Sequence, residues 1–404
     1  MTLVESVSLL LGLIYASSLL YFGGKRWGAA LISLMALAAV IVASIWPLLV
    51  GTAIAAAVFA LVHRRSPQLT QGEGRADEVR DAVSHFFALS LLIVGLQYVV
   101  YHALLLNGLG GHLTRPDVVD AFIPIAGGLE LKAIVTLNLW DKHHPAAAVM
   151  LFTVMVSAIV CKRAFCGWAC PLGLLGTQLY RLRKRFIPGD ALPPAWLDWP
   201  LRMVKYLLFF VLLYLVVFGM PSQALPGYFG GNYHMISDAK MGAFFLSPSL
   251  LAGIIIVLVL AMAMWQQQSF CRYLCPYGAG LGLLSFLSPF KIRRSDEHCL
   301  KSKGFACDKC TRACPARIEV DNLITVRSDE CQACMRCISA CPKKEALTLS
   351  TRTGISLSAK GVAVILMLMM FAIPLIAAAC GYWHSEVTDE MRAYLLPYLH
   401  QIGH

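Results

Sequence analysis

Charged residues are scarce in this chain of 404 residues, where Asp, Glu, Lys and Arg together make up 14%. Soluble domains carry roughly 25% charged residues, so the scarcity excludes an ordinary soluble protein. Acidic residues are the rarer kind, 23 against 34 basic ones, which leaves a net charge of +11. The basic residues flank long apolar runs and do not form a basic domain. This distribution is typical of membrane helices with basic inner flanks, and we expect no nucleic-acid partner.

The chain also lacks basic residues ahead of its first apolar run, residues 3–22. A cleavable signal peptide carries its positive charge before the apolar stretch, whereas Lys25 and Arg26 follow it here. We therefore predict an uncleaved first span whose N-terminus lies outside.

Long apolar runs predict an all-α polytopic membrane protein with about eight spans, because a spanning helix needs about 20 apolar residues. The stretch 29–62 fits two short spans with a turn at Trp46-Pro47. The remaining six spans are predicted at residues 3–22, 84–106, 146–162, 201–220, 248–267 and 359–380. Basic residues in the short loops then fall on one side, which we assign to the cytoplasm of a bacterial inner membrane. The C-terminal tail faces outward.

Cysteine is abundant, and 12 of the 14 cysteines fall into metal-binding patterns. Their close spacing favours thiolates that bind metal over disulfides. One pattern is a repeat: residues 165–173 read FCGWACPLG and residues 270–278 read FCRYLCPYG, at an offset of 105 residues throughout. Each copy offers two thiolates, and a [4Fe–4S] cluster takes four. Same-direction repeats lie side by side. We therefore predict that the two motifs together hold one cluster, on Cys166, Cys170, Cys271 and Cys275. This cluster would be the third, in addition to the two in the ferredoxin-like block. Structural thiol pairs, a thiol–disulfide pair and a zinc or copper site are the alternatives.

The other pattern is a ferredoxin-like block. Its second half, Cys331-x2-Cys334-x2-Cys337-x3-Cys341-Pro342, has the spacing of bacterial ferredoxins, whose fourth cysteine serves the other cluster. Zinc is disfavoured by this number and order of cysteines. Crossed ligation predicts one [4Fe–4S] cluster on Cys299, Cys307, Cys310 and Cys341, and another on Cys331, Cys334, Cys337 and Cys314.

The first half of the block departs from the rule, because Gly304 stands where a cysteine is expected. We predict that Cys299 replaces it; without Cys299 the site would be a three-cysteine, [3Fe–4S] type. Cys161 is predicted to be buried apolar filler and Cys380 to be inert.

The motifs divide the chain into four parts. We predict an N-terminal membrane extension (1–83), a membrane core with the repeated motifs (84–294), a small α+β two-cluster domain in the cytoplasm (295–350), and a last span with an outer tail (351–404). Residues 118–138 are apolar enough for a ninth span, but they contain Glu130 and Lys132. A span there would put the two repeated motifs on opposite faces, so we predict a re-entrant or interfacial segment at the outer face.

The chain resembles the membrane polyferredoxins of the NapH/NosR type, over roughly residues 85–380. The resemblance rests on Cys166-Gly167-Trp168-Ala169-Cys170-Pro171, on the second Cys-x3-Cys-Pro motif and on the ferredoxin-like block. Many relatives carry a cysteine ahead of a Gly-Gly-Leu-Glu segment; here the segment ends at Glu130 but the cysteine is missing. The resemblance implies electron transfer between the membrane quinone pool and a redox partner protein or subunit, as part of a respiratory reductase system.

Polar residues near helix ends are the candidates for a quinone site, because ionisable groups inside membranes are rare and usually functional. They are His102, Glu130, His143 and His144; interfacial outer-loop positions without a function are the alternative reading. Every predicted cluster lies on the cytoplasmic side of a bilayer core about 30 Å thick, so a transmembrane electron path is incomplete in this chain alone. Electron donation during maturation or metal reduction, and membrane redox sensing, are the rival functions.

Overall fold

The computed structural model describes residues 76–109, 113–187, 193–343, 345–399 and 401–402, and this part of the chain is mostly helical. The first three predicted spans, and most of the predicted extension 1–83, lie outside the described residues.

The described helices are numbered here in chain order. They are α1 (Ala76–Leu106), α2 (Pro124–Leu137), α3 (Pro145–Cys161), α4 (Ala164–Trp168), α5 (Pro171–Phe186), α6 (Ala195–Tyr214), α7 (Leu225–Phe229), α8 (Asn232–Met235), α9 (Ser237–Leu246), α10 (Leu250–Trp265), α11 (Ser269–Tyr273), α12 (Pro276–Leu284), α13 (Lys309–Arg312), α14 (Arg336–Ala340), α15 (Ala359–Ala379) and α16 (Asp389–Leu395). The strands are β1 (Lys291–Arg294), β2 (Leu347–Ser350) and β3 (Ser356–Leu357). Short 3-10 turns span Asp117–Phe122, Ser222–Ala224, Val320–Asn322 and Leu396–Tyr398, and a π-helical turn, Leu215–Gly219, extends α6.

Helix α3 is the centre of the helical part and packs against α2, α12 and α15. Its contact surface carries small buried residues, among them Ala147 and Ala158. Gly127 of α2 permits the closest approach, because a Cβ at this position would lie 2.6 Å from the carbonyl oxygen of Ala147. Small residues let helix backbones approach closely where lipid removes the hydrophobic drive for association. The position of α3 is therefore fixed by van der Waals packing along its length.

Two described helices are long and apolar enough to cross a bilayer: α6 with its π-helical turn (Trp196–Gly219), and α15. The apolar segments Gln97–Leu106, Pro145–Cys161 and Leu250–Trp265 are shorter. All five spans predicted within the described residues overlap a helix, but the total of eight stays a prediction. Residues 118–138 form a 3-10 turn and the 14-residue helix α2, which is shorter than the about 20 residues of a span.

The sequence repeat is also a repeat of structure. Helices α4 and α11 are five-residue helices at the same offset of 105 residues. The two residues after each helix donate their backbone N–H groups to the same carbonyl oxygen. This oxygen belongs to Phe165 after α4 and to Phe270 after α11. The cysteine that follows, Cys170 or Cys275, is the N-cap of the next helix, and a proline occupies the first position of that helix. Proline fits there because the first helical N–H has no partner within the helix.

A three-stranded antiparallel sheet in the order β1-β2-β3 joins the two ends of the ferredoxin-like block. Strand β1 precedes the block and pairs with β2, which follows it, so that Ile292 lies opposite Leu349. Both side chains are buried. The block is thus a closed loop whose ends are tied together. Its predicted two-cluster ferredoxin fold stays a prediction.

Candidate functional site

Four cysteines of the ferredoxin-like block surround one small cavity next to Asp321 and Pro342: Cys299, Cys307, Cys310 and Cys341. Burial opposes ionisation of Cys299, but the backbone N–H groups of Ser302 and Lys301 lower the pKa of its thiol. A stabilised thiolate is what a metal ligand requires. Cys299 therefore lies with the other three cysteines and can serve as the fourth ligand, which the motif lacks because Gly304 replaces a cysteine.

Four other cysteines of the block surround a second cavity: Cys314, Cys331, Cys334 and Cys337. Cys314 thus lies with the second half of the block and Cys341 with the first, which is the grouping that crossed ligation predicts. Burial, followed by the neighbouring Cys334, raises the pKa of the Cys314 thiol to about 12. Several thiolates cannot remain charged together at such a site unless a cation compensates them, so the donors fit an iron–sulfur cluster. Ligation itself stays a prediction.

The backbone of the Cys331–Cys337 loop is also shaped for an anion. Ala333 and Met335 lie on either side of Cys334 and have positive φ angles of 48° and 59°. Left-handed residues between right-handed or extended ones direct successive N–H groups to one side and form a nest, a geometry found at iron–sulfur sites. The strain at two residues with side chains supports a functional role for this loop.

The repeated motifs bring together the remaining four predicted ligands. Burial raises the pKa of Cys170 to about 12, with Cys166 and Cys275 as neighbouring charges, and it raises the pKa of Cys271 in the company of the same three thiols. Cys275 accepts a hydrogen bond from the N–H of Gly278, over 3.3 Å, at the N-terminus of α12. Helix N-termini stabilise thiolates and other anions. These four thiols, of which Cys170 and Cys275 are at helix starts, fit a third cluster.

The two cysteines outside the patterns lie apart. Cys161 is buried at the end of α3, as expected for an apolar position. Cys380 is exposed after α15.

Trp168 connects the repeated motif to the ferredoxin-like block. Its fully buried indole N–H donates a hydrogen bond of 3.0 Å to the carbonyl of Ala333, inside the Cys331–Cys337 loop. The preceding Gly167 is needed for this contact, because a Cβ there would lie 3.0 Å from the carbonyl of Gln332 and 3.4 Å from Cβ of Cys334. The Cys-Gly-Trp-x-Cys-Pro motif therefore lies directly against the second cavity.

Buried cations hold the block on the helices. Lys162 donates to the carbonyls of Val326 and Ser328, over 3.2 and 3.3 Å. Arg163 donates to the carbonyl of Asp329 over 3.1 Å, and its guanidinium also hydrogen-bonds to Cys166. Both residues belong to a short loop after a predicted span, whose positive charge indicates an inner membrane flank. The structure gives them a second role as contacts between the candidate sites.

A second set of functional candidates lies at the opposite end of α3, whose 17 residues span about 25 Å. Its centre, which we call the polar layer, consists of buried charged side chains: Arg115, Asp120, Asp141, His144, His234 and Asp238. Arg115 pairs with Asp120 and, over 2.8 Å, with Asp238. Apart from His144, the sequence analysis missed these residues, since they come from separate loops and short helices with no common spacing.

The four predicted quinone-site residues lie in or beside the polar layer, but in different environments. His144 is fully buried, and its ring nitrogens face the carboxylate of Asp120 at 2.9 Å and the carbonyl of His234 at 2.8 Å. Both partners are oxygen acceptors. Burial opposes the charged form of the ring, but the charge of Asp120 raises the pKa of His144. His102 and His143 each keep one ring nitrogen without a hydrogen-bond partner. His144 therefore positions Asp120 and the backbone of His234, whereas His102 and His143 each have one ring nitrogen available to bind a ligand.

Glu130 lies on α2 and is 1% exposed. One carboxyl oxygen accepts the N–H of Ala148 over 3.1 Å, and the other has no partner. Burial, followed by the charge of Asp141, raises the pKa of Glu130 to about 10. At neutral pH this carboxyl group is therefore protonated.

Comparison with known proteins agrees with the cysteine geometry. A family pattern described as a 4Fe-4S binding domain matches residues 143–188 and 246–295, which contain the two repeated motifs. The chain is 36% identical over 298 residues to YccM of Escherichia coli (strain K12), named for electron transport, a match that covers 72% of this chain and 82% of YccM. This match decides the family. The chain belongs to the membrane polyferredoxins of the NapH/NosR type.

Other members of the family are more distant. The chain is 25% identical to the ferredoxin-type protein NapH of Escherichia coli (strain K12), over 53% of this chain and 72% of NapH. It is 30% identical to the protein NirI of Paracoccus denitrificans, over 62% of this chain but only 33% of NirI. No solved structure matches the chain. This polyferredoxin is therefore an iron–sulfur electron-transfer protein, and the resemblance seen in its motifs is confirmed.

Proposed function

We propose that this polyferredoxin transfers electrons between the quinone pool and a redox partner through three [4Fe–4S] clusters. The observation that carries the proposal is the convergence of twelve cysteines into three groups of four. Each cluster, when bound, takes up and releases a single electron. The proposed ligand sets are Cys299, Cys307, Cys310 and Cys341; Cys314, Cys331, Cys334 and Cys337; and Cys166, Cys170, Cys271 and Cys275.

The three sites follow one another in space. Cys314 and Cys341 exchange partners between the two halves of the block, and α13 packs against α14, so the two block sites are neighbours. Trp168 and Gly167 bring the repeated motif against the Cys331–Cys337 loop. The site of the repeated motifs is therefore the end of the row that faces the helices, and the Cys299 site is the end that a soluble partner reaches.

Side chains of this polyferredoxin also set the electrostatics along the row. Arg163 lies beside Cys166, and Arg80 donates to the carbonyl of Cys334 over 3.3 Å. Both are almost fully buried. Positive charge close to a cluster favours the reduced state, which carries one more negative charge. Arg80 also pairs with Asp77 and Asp81, which offset its charge. We infer that Arg163 raises the reduction potential of the third site.

Quinone is proposed to bind near the polar layer, where His102 and His143 offer free ring nitrogens and Glu130 carries a proton. The exposed apolar side chains of α6 and α10, such as Leu207 and Leu250, support a lipid-facing surface. We retain the arrangement of about eight spans in a bacterial inner membrane with the ferredoxin-like block in the cytoplasm. A quinone site at the outer end then requires a further redox centre, from a partner subunit, to cross the distance along α3.

The ligand sets are tested by purifying the protein anaerobically and measuring iron and sulfide. We expect about twelve iron atoms per chain, and about eight in a Cys170→Ser variant. Cys161→Ser is the matched control, because Cys161 is a buried cysteine of the same region outside the four-cysteine groups. Equal iron in Cys170→Ser and wild type would refute the shared cluster.

The electron donor is tested on the same preparation. Dithionite reduces the clusters as a control; after reoxidation, a quinol analogue is added and the reduced-cluster EPR signal is recorded. A signal with quinol supports transfer from the quinone pool. If dithionite gives a signal and quinol gives none, this chain alone does not oxidise quinol, and donation by another carrier during maturation becomes the better explanation.

A further inference from the structure

Three side chains at the polar layer form a group that the iron–sulfur clusters do not use, and one of them, His143, is also a candidate for the quinone site. Asp141, His143 and His234 each place one donor atom within 4.8 Å of the other two. They lie at the opposite end of α3 from the cysteines. We propose that these residues bind a divalent transition-metal ion such as Zn²⁺, separate from the iron–sulfur clusters.

The distances suit an ion held by three protein ligands. Nε2 of His234 lies 2.5 Å from Oδ2 of Asp141, and Nδ1 of His143 lies 3.5 Å from Oδ1 of Asp141. An ion with bonds of about 2.0–2.2 Å to nitrogen and oxygen needs neighbouring donors roughly 3.3 Å apart. The observed distances bracket this value, so rotations of the side chains suffice to form the site.

The donors of Asp141 and His234 are held near the position of the ion by their surroundings, so that only small rotations are needed. The carboxylate of Asp141 accepts the backbone N–H groups of His143 and His144, over 2.9 and 3.1 Å. The ring of His234 is fully buried and lies about 5 Å from the rings of Tyr228, Phe229 and His144. His144 donates to the carbonyl of His234. A metal site with ligands held in this way loses little conformational freedom on binding.

Unsatisfied atoms provide an independent observation. Nδ1 of His143 and Nδ1 of His234 are buried and have no hydrogen-bond partner. Oε1 of the nearby Glu130 is in the same state. Buried polar atoms without partners cost about 1–3 kcal/mol each, and they are rare enough that each one requires an explanation. An ion at this point uses the free Nδ1 of His143, whereas it binds His234 through Nε2 and leaves Nδ1 of that ring unchanged.

The ligand types limit which ion fits. Two imidazoles and one carboxylate suit zinc, iron, nickel or copper, whereas magnesium and calcium prefer oxygen ligands. Three protein ligands leave one position open, as at catalytic zinc sites. The side chain of His143 is 21% exposed, so the site lies near the surface. We infer that a small molecule or a water occupies the remaining position.

The site is tested with zinc on the anaerobically purified protein with its clusters in place. The protein is incubated with Zn²⁺, passed through a desalting column and analysed for retained zinc, and the coordination is read by X-ray absorption at the zinc edge. We expect about one zinc per chain with nitrogen and oxygen ligands at about 2.0–2.2 Å. His143→Ala and Asp141→Asn should each abolish retention.

His143→Ala removes a ring that lies 3.5 Å from the carboxylate of Asp141 and leaves the backbone unchanged. Asparagine at position 141 has a single acceptor oxygen, so it keeps only one of the two hydrogen bonds from the backbone N–H groups of His143 and His144. His384→Ala is the matched control, a histidine at the same end that pairs with Asp117 at 2.8 Å and is not a proposed ligand; it should retain the zinc. The proposal is wrong if wild type retains no zinc, if His143→Ala retains as much as wild type, or if the zinc has sulfur neighbours at about 2.3 Å. Iron content is measured in parallel, so a failure of the iron–sulfur assignment is recognised separately.

Discussion

Replacing Trp168 with phenylalanine should loosen the contact between the repeated motif and the ferredoxin-like block. Phenylalanine keeps an aromatic ring in the fully buried position but removes the 3.0 Å hydrogen bond to the carbonyl of Ala333. Ala333 is itself buried, so its carbonyl loses a partner that water does not replace. Leaving a buried acceptor unsatisfied costs about 1–3 kcal/mol. The population of the open state of the Cys331–Cys337 loop should therefore rise about 5- to 150-fold.

The opening is measured as the rate at which an iron chelator bleaches the cluster absorbance under anaerobic conditions. When the loop recloses faster than iron is removed, this rate follows the population of the open state. Trp168→Phe should therefore lose iron about 5- to 150-fold faster than wild type, although both proteins contain the same amount of iron when purified. Trp196→Phe is the control, since Trp196 is 75% exposed, and it should behave as wild type. Equal rates for Trp168→Phe and wild type would show that this hydrogen bond does not hold the loop.

Two further predictions concern charges. Glu330→Gln should destabilise the protein by about 3–5 kcal/mol, because the fully buried Lys205 loses its ion-pair partner. Denaturant titration in detergent measures this change. Glu345→Gln, at an exposed ion pair, is the control and should change the stability by less than about 0.5 kcal/mol. His384 donates a hydrogen bond to the carboxylate of Asp117, and this bond raises the pKa of the His384 ring. The stabilisation from the pair is therefore complete below pH about 6.5 and is lost as the pH rises through the raised pKa. NMR titration of labelled histidine should show this raised pKa, and Asp117→Asn should return it to about 6.5; an unchanged value would contradict the assignment.

The cysteine pattern was readable from the sequence because cluster ligands follow short, fixed spacings. The offset between the two Cys-x3-Cys-Pro motifs predicted equivalent local structures, and α4 and α11 have them. The replacement of the cysteine expected at Gly304 by Cys299 also followed from the sequence, and the structure brings Cys299 to the same cavity as Cys307.

The polar layer could not be read in the same way. Asp238 pairs with Arg115 and with Arg392, residues far apart in the sequence, and tertiary packing alone brings them together. His234 lies in a four-residue helix and shows no periodicity. Only Asp141, two residues before His143, offered a signal, since an acid close to a histidine pair is a common metal-binding arrangement. The role of Trp168 was hidden for a similar reason: the motif was visible, but its partner Ala333 lies 165 residues later.

The contact of Trp168 with the ferredoxin-like block also has a consequence for biogenesis. Cys166 and Cys271 are buried, and the Cys331–Cys337 loop covers the motif from one side. Both repeated motifs leave the ribosome before that loop has been synthesised. If the repeated motifs bind the proposed third cluster, its iron can be delivered while the entrance is still open, and the later part of the chain then closes over it. A cluster lost from this site in the finished protein would be hard to replace without undocking the whole block, so its repair should depend on new synthesis.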